Sequence, residues 1–444
     1  MTRILAVLPF YGGSLPVGRH CARALRDIGC LVEVFEAPEF YGAFQALKGL
    51  KVNGGRLEFL ENSYLNLVGE AVLAQVERFQ PDLVLALAQA PLSRKTLKRL
   101  KHDGVPTAMW FVEDYRLFAY WRAFAPFYDL FAVIQKEPFL GELAAQGVEN
   151  ALYLPMAALP ELYRPLRGGA NCQAGECGPA DALSPAERRD FGADLSFMGA
   201  GYPNRRLAFR ELGRELAGRD FRIWGTEWEG EPLLEPHLRM KGVRITPEQS
   251  VRIFNAAKIN LNLHSSVKAE ETVSRGDFVN PRTFEVAACG AFQLVDERLL
   301  LPEMFEPDEL ATFSSLDDLK AKVDYYLAHP AERAALAARG RARVLREHTY
   351  QARLRRLLDF AAERLPGWPR SRQAAPWPAG LPESLTSELE ALAEKLQLPR
   401  LGWGPAGGTG FDTLIAALRQ HSGRLSGLES ALLFLDEWKK QYIK

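Results

Sequence analysis

Over residues 1–155, short runs of aliphatic and β-branched residues alternate with stretches of helical period. Residues 3–10 read as a strand, 17–28 as a helix and 31–36 as the next strand, which makes one βαβ unit around the loop YGGSLP. The alternation continues with a helix over 65–79, a strand over 83–87, a helix over 93–102 and a strand over 106–112. It ends with a helix over 120–128, a strand over 130–134, a helix over 138–146 and a strand over 151–154. Strands separated by helices predict a parallel sheet covered on both faces, a Rossmann-like domain.

Residues 165–192 interrupt this rhythm with Pro, Gly and Cys, and predict an interdomain linker or inserted loop. A second alternating set follows, with strands over 194–198, 221–224, 243–245, 259–263 and 292–295. Its helices fall over 204–216, 247–257, 281–289, 316–327, 331–346 and 351–365. The segment PGWPRSRQAAPWPAGLP cannot continue a helix and reads as a semi-rigid linker to a small helical tail. The expected organisation is an N-terminal Rossmann-like domain over 1–164, the linker or inserted loop over 165–192 and a second Rossmann-like domain over 193–346. A closing helix over 347–365 and the Pro-rich linker with its tail over 366–444 complete the α/β chain.

A length of 444 residues favours two to three domains, and 47% hydrophobic with 25% charged residues excludes disorder and fibre. Lys+Arg 55 against Asp+Glu 55 leaves no net field for polyanions, which disfavours a dedicated nucleic-acid binder. No run approaches a membrane span and the apolar opening is too short for a signal peptide, so a cytoplasmic protein is expected. Cys21, Cys30 and Cys289 sit in apolar patterns that bury a thiol, while Cys172 and Cys177 lie in a Gly-rich stretch with no matching pair for zinc. Residues 333–356 carry eight arginines, a density that suits either anionic lipid or a solvated basic face.

Two segments carry candidate chemistry. In FVNPRTFEVAACGAFQLVDE, Asn280 caps a helix whose first residue is Pro281, where the missing N–H costs nothing. The free N–H groups there suit phosphate, with Arg282 and Thr283 adding a charge and a hydroxyl. Glu285, among apolar neighbours, needs a partner such as a pair of sugar hydroxyls, or else lies exposed. In FMGAGYPNRR a strand feeds Gly199, Ala200 and Gly201, which admit close backbone approach, followed by Tyr202, Arg205 and Arg206. The loop lacks the third glycine of a dinucleotide fingerprint, which disfavours an NAD enzyme.

DLSFMGAGYPNRR, RIFNAAKINLNLH, NPRTFEVAACGAFQLVD, DYYLAHPAER and REHTY, in that order, resemble the donor-binding half of a CgeB-like glycosyltransferase of the two-domain GT-B fold. PDLVLAL, GVPTAMWFVEDY and YDLFAVIQ resemble the companion domain, so the likeness covers about residues 1–365. It implies two Rossmann-like domains facing a cleft, with a nucleotide-sugar donor held mainly by the second. By the same likeness Glu285 takes the ribose hydroxyls, and Arg282, Thr283 and the loop with Gly199, Gly201, Tyr202 and Arg205 face the diphosphate. Trp224 and Gly225 fall at the edge of the base pocket, and His264 and Asn280 join the donor set. Relatives of that fold carry another glutamate upstream, where this chain has SRGDFVNP.

The implied reaction is glycosyl transfer to an unidentified acceptor (protein, glycan or envelope component), without metal or cofactor because no DxD motif is present, and with UDP as the favoured nucleotide. An inverting enzyme needs a base, for which Asp114 is the first choice and Glu113 and His20 are rivals, His20 reading otherwise as a surface histidine. Two other classes stay open, a nucleotide-sugar epimerase of similar architecture and a non-catalytic assembly protein keeping the fold, against which Asn280, Arg282 and Glu285 argue. The tail after 366 is expected to be dispensable for donor binding, and the residues do not set the oligomeric state.

Overall fold

The computed structural model describes residues 1–170, 182–215, 218–271, 273, 276–370, 381–398, 411–421 and 423–442. Its first sheet holds six parallel strands, β1 (Arg3–Val7), β2 (Leu31–Phe35), β3 (Leu83–Leu87), β4 (Thr107–Phe111), β5 (Leu130–Val133) and β6 (Ala151–Tyr153), in the order β2-β1-β3-β4-β5-β6. The second holds β7 (Ala193–Met198), β8 (Phe221–Trp224), β9 (Leu238–Arg239), β10 (Ala257–Asn262), β11 (Gln293–Asp296) and β12 (Ala311–Phe313), in the order β12-β11-β10-β7-β8-β9. Strands such as LVLAL are apolar at every position because helices cover both faces.

The two orders share one consequence. From β1 the chain runs outward to β2 and then returns to β3 on the other side, and from β7 it runs outward to β8 and β9 and returns to β10. The C-terminal ends of β1 and β7 therefore border crevices where the winding reverses, the position at which open α/β sheets take ligands. The glycine-bearing loops follow these two strands.

One apolar cluster joins the halves, running from Ile4, Val17 and Trp110 to Phe284, Tyr350 and Leu357. The helix Tyr350–Arg364 packs on the helix Ser14–Asp27, and the Tyr350 N–H donates to the Ala158 carbonyl at 3.0 Å. The closing helix thus returns to the first half.

Several expected elements shift. The long helix begins at Gly54 rather than 65, because the Asn53 side chain accepts from Arg56 N at 2.8 Å and caps it there. A helix over Pro38–Lys48 and strand β12 were not expected. The segment 120–128 holds only a short helix, Trp121–Phe124, and a 3-10 turn at Ala125–Phe127 that contains Pro126. Residues 243–245 form no strand; β9 precedes them. Within 165–192 a helix over Pro185–Phe191 is fixed by a Ser184/Glu187 capping box, and Cys172 and Cys177 lie outside the described residues.

Cys21, Cys30 and Cys289 are buried, and burial pushes all three thiols up, Cys30 to about 11. Among the described residues no helix is long and apolar enough to cross a membrane, and no three His, Cys, Asp or Glu side chains cluster as metal ligands. The tail helices Glu383–Lys395, Phe411–Gln420 and Gly427–Tyr442 share a small core around Leu392, Leu414 and Leu432. They are docked, not free: Ala416 joins the first-half core and Arg26 Nε donates to Gln420 Oε1 at 3.2 Å; ahead of them, Trp368 Nε1 donates to the Asp82 carbonyl at 2.9 Å.

Candidate functional site

The loop after β7 is pressed against the loop after β8. Gly199 N donates to the Trp224 carbonyl and Gly201 N to the Thr226 carbonyl, both at 2.9 Å. A Cβ on Gly201 would stand 2.2 Å from the Glu227 carbonyl, and one on Gly225, whose φ is +127°, would stand 2.3 Å from the Gly199 carbonyl. Only glycine permits two main chains to meet this closely. Arg205 braces the loop from behind, donating to the Ala200 carbonyl at 3.0 Å and the Leu263 carbonyl at 2.9 Å. Burial lowers its guanidinium to about 10, so it stays charged at neutral pH. Tyr202 lies against it, 5.6 Å from ring to guanidinium.

The helix Pro281–Ala288 starts where the Asn280 side chain accepts from Thr283 N at 3.1 Å. Beneath that start lies a polar ladder. Asn280 Nδ2 donates to Asn262 Oδ1 at 2.8 Å, Asn262 Nδ2 donates to Thr283 Oγ1 at 2.9 Å and Gln293 Oε1 at 3.1 Å, and Gln293 Nε2 donates to the Thr283 carbonyl at 2.7 Å. His264 is fully enclosed; its Nδ1 donates to Asp296 Oδ1 at 2.6 Å and its Nε2 accepts from Asn280 N at 2.9 Å. Burial lowers this histidine to about 4, leaving it a neutral strut.

These contacts revise the expected roles. Thr283 is wholly buried with its hydroxyl turned inward, so it faces no diphosphate; Asn280 and His264 hold the helix start from below. Trp224 is 1% exposed within the core, and only its carbonyl reaches the glycine loop, so its ring offers no stacking surface.

A cleft cavity of about 280 Å³ gathers Gly199, Gly225, Arg282 and Glu285 with His20 and Arg244. Glu285 is 7% exposed and pairs with Arg282 at 2.9 Å; burial raises its carboxyl, and Arg282 and Tyr163 draw it back down. The exposed-glutamate reading therefore fails. His20 is 5% exposed, not at the surface, with its ring edge-on to Tyr163 at 5.7 Å, and burial lowers it to about 4. Arg244, which sequence reasoning missed, crosses from the second half to donate to the Gly12 carbonyl at 2.8 Å.

The other two acids stand apart from that cavity and from each other. Glu113 accepts from Gln89 Nε2 and, at 2.8 Å, from the Tyr120 hydroxyl. Burial raises its carboxyl above the usual range, and its charge is felt by Tyr202 on the glycine loop. Asp114 points elsewhere, accepting from Arg116 N at 3.0 Å and Gln135 Nε2 at 3.2 Å. Beside it Asp277, from SRGDFVNP, is buried and held across the cleft by Gln135 at 2.8 Å and Arg116 at 3.2 Å. No local pattern marked Asp277, because both its partners come from the other half.

The eight-arginine stretch is in part a solvated face, with Arg339, Arg346, Arg355 and Arg356 exposed, and most of its charges have partners within the chain. Arg339, Arg343, Arg346 and Arg356 pair with carboxylates, and Arg353 donates to the Pro155 carbonyl at 2.9 Å.

A family model described as glycosyl transferase-like matches residues 205–359. The spore protein CgeB of Bacillus subtilis (strain 168) is 26% identical over 288 residues, which cover 60% of this chain and 78% of that protein. Among solved structures, a sucrose-phosphate synthase from Thermosynechococcus elongatus aligns over 82% of this chain and 99% of its own, with a TM-score of 0.52 at 13% identity. Anabaena HepE in complex with UDP and glucose aligns over 82% of this chain and 100% of its own, with a TM-score of 0.53 at 10% identity.

Proposed function

We propose, for a chain that is a CgeB-like glycosyltransferase of the GT-B fold, that it moves a sugar from a uridine diphosphate donor to an acceptor hydroxyl without a metal ion. The observation that carries this reading is the meeting of Glu285, Arg282 and the two glycine loops in one cavity between the sheets. Glu285 accepts hydrogen bonds from the ribose hydroxyls. The diphosphate lies along the main chain at Gly199 and Gly225, near the N-terminus of the helix Pro281–Ala288, with Arg282 and Arg244 as cations. The UDP held by HepE supports the choice of base.

Transfer then requires one displacement. The acceptor oxygen bonds to the anomeric carbon as the bond from that carbon to the diphosphate oxygen breaks, and the electron pair leaves with UDP. Glu113 takes the acceptor proton; its raised carboxyl lies nearer neutrality than a free one, and Tyr120 and Gln89 hold it in place. Asp114, the first choice from sequence, is committed to the Gln135 and Arg116 junction. Inversion at the anomeric carbon follows.

The test is calorimetric titration of the full chain with UDP, GDP, dTDP and CMP, each with and without EDTA. UDP is expected to bind tightest and equally in both buffers; loss of UDP binding in EDTA, or preference for another nucleotide, would refute that part of the reading.

A further inference from the structure

We propose that a second cavity, of about 590 Å³ in the first half, holds the acceptor, and that this acceptor is a flat, apolar aromatic molecule bearing a hydroxyl. The proposal rests on the glycosyl-transfer reading and names the substrate class it leaves blank.

The chamber lies at the winding reversal of the first sheet. Phe10 and Tyr11 come from the loop after β1 and Gln89 from the loop after β3; Phe44 comes from the helix Pro38–Lys48, and Leu65 from the helix Gly54–Phe79. Its volume falls within the range of small-molecule sites. The turn Tyr11–Gly13 is a shared wall, since Tyr11 lines the chamber and Gly13 lines the donor cavity. A molecule seated in the first space therefore lies next to the second.

The back wall bears the residues that hold Glu113. Gln89 adopts φ +65°, a conformation that costs a non-glycine residue on the order of 1 kcal/mol. In that conformation its N–H donates to the Tyr120 hydroxyl at 2.9 Å and its side chain reaches Glu113, while the Tyr120 hydroxyl donates to Glu113. A hydroxyl entering the chamber thus meets Tyr120 and Gln89, the two lining residues that hold Glu113 behind them.

The remaining walls select the ligand. Phe10 and Phe44 stack at 5.2 Å, and Tyr120 and Phe124 meet edge-on at 6.4 Å, giving flat apolar surfaces. A pyranose carries a hydroxyl on nearly every carbon and needs a partner for each when desolvated. Here Gln89 and Tyr120 are committed to Glu113, and the Ser93 hydroxyl is engaged by Thr96, so the amides left are Asn62 and Asn66 on one helix, with the Tyr11 and Tyr128 hydroxyls and two cations. No carboxylate is among the lining residues, which do include the exposed Arg94 and Lys95, and this disfavours an amine.

The test titrates the full chain, saturated with UDP, with 4-methylumbelliferone and separately with methyl β-glucoside. The comparison is Leu65→Trp, which fills the chamber from a half-buried helix position, and Asn66→Trp serves as a second filling variant. Umbelliferone is expected to bind wild type and to weaken roughly tenfold or more in either variant, with UDP affinity unchanged. Preference for the glucoside, or umbelliferone binding untouched by both tryptophans, would overturn the proposal. A wild type that binds umbelliferone in the chamber but no UDP would support the ligand class while sinking the donor reading.

Discussion

The two sheets solve the same topological problem with opposite chemistry. Beneath the donor cavity, β10 reads AKINLN and runs on to His264, so Asn260, Asn262 and His264 alternate along a buried strand. Ser196 donates to Asn260 at 2.8 Å, and the ladder through Asn262, Gln293 and Thr283 ends at the helix start. Around the first-half chamber, β3 and β4 carry LVLAL and TAMWF and pack against aromatic rings. Hydrogen bonds are directional and a buried network can be satisfied in few ways, so it fixes the donor helix to one position. Apolar packing is not directional, which lets the first half leave a chamber open beside its strands. A diphosphate with fixed geometry suits the first arrangement, and a flat apolar acceptor suits the second.

The ladder is broken most severely at Asp296. Asp296→Ala strips His264 Nδ1 of its acceptor and removes the carboxylate facing Arg298 at 3.6 Å. Removing one member of a buried charged set costs about 3–5 kcal/mol. Phe44→Leu, at the half-buried chamber wall, is expected to cost less than about 1.5 kcal/mol. Urea unfolding of both variants checks the contrast; equal losses would erase the distinction between the two regions.

The next effect is on rate. Glu113→Gln is expected to lower the transfer rate by roughly 10²–10⁴-fold with UDP affinity intact. Stability should move the other way. Because the folded carboxyl is raised, the native state holds its proton more tightly than the unfolded chain does, and its contribution is lost as pH rises through the folded value. The variant should therefore gain on wild type in melting temperature from pH 4 to pH 8. A wild type that instead gains on the variant over that span would contradict the burial of this acid.

Which parts of this were legible in the sequence follows from the range of the interactions. The alternating runs place ten of the twelve strands, because a parallel strand's apolar run is local. The Asn280–Pro281 start and the anomalous Glu285 were equally local signals. Thr283 was misread because its inward turn depends on Asn262, and the role of His264 depends on Asp296, which is 32 residues away. The alternation of Asn260, Asn262 and His264 was the available sign of the ladder, since polar residues at period two in a buried strand must be partnered. The chamber was invisible because its walls come from loops after three different strands, from β4 and from four helices, one of them unread.

Donor affinity offers a finer probe. Glu285→Ala keeps the helix, since Ala is its best former, and removes charge-assisted hydrogen bonds worth about 1.5–3 kcal/mol. UDP affinity should fall by roughly ten- to a hundredfold. The same variant also frees Arg282, its partner at 2.9 Å, to turn toward the phosphates. Calorimetry with UDP and with inorganic pyrophosphate separates the two consequences: UDP should weaken while pyrophosphate holds or tightens. Unchanged UDP affinity would remove Glu285 from the site.

The smallest effect is expected at His20, which lies where the two chemistries meet. Its ring lines the donor cavity yet packs on Tyr163 and, at 5.4 Å, on Tyr350, and its Nδ1 has no hydrogen-bond partner among the described residues. Burial holds it near 4, so it is neutral at pH 7 and a weak acceptor of protons. His20→Phe preserves the ring packing and should leave the transfer rate at pH 7 within about tenfold of wild type, far from the loss at Glu113. Its signature is in acid. The unfolded histidine binds a proton near 6.5 and the folded one only near 4, so wild type loses stability as pH falls through that window while the variant is spared this share. His264 and His348, lowered to about 4 as well, keep part of the acid sensitivity in both proteins. Melting curves at pH 7 and pH 4.5 should therefore show the variant gaining on wild type at the lower pH. A rate loss at pH 7 as large as that of Glu113→Gln would move the base from behind the chamber wall to the cleft, and the division of labour between the two regions would go with it.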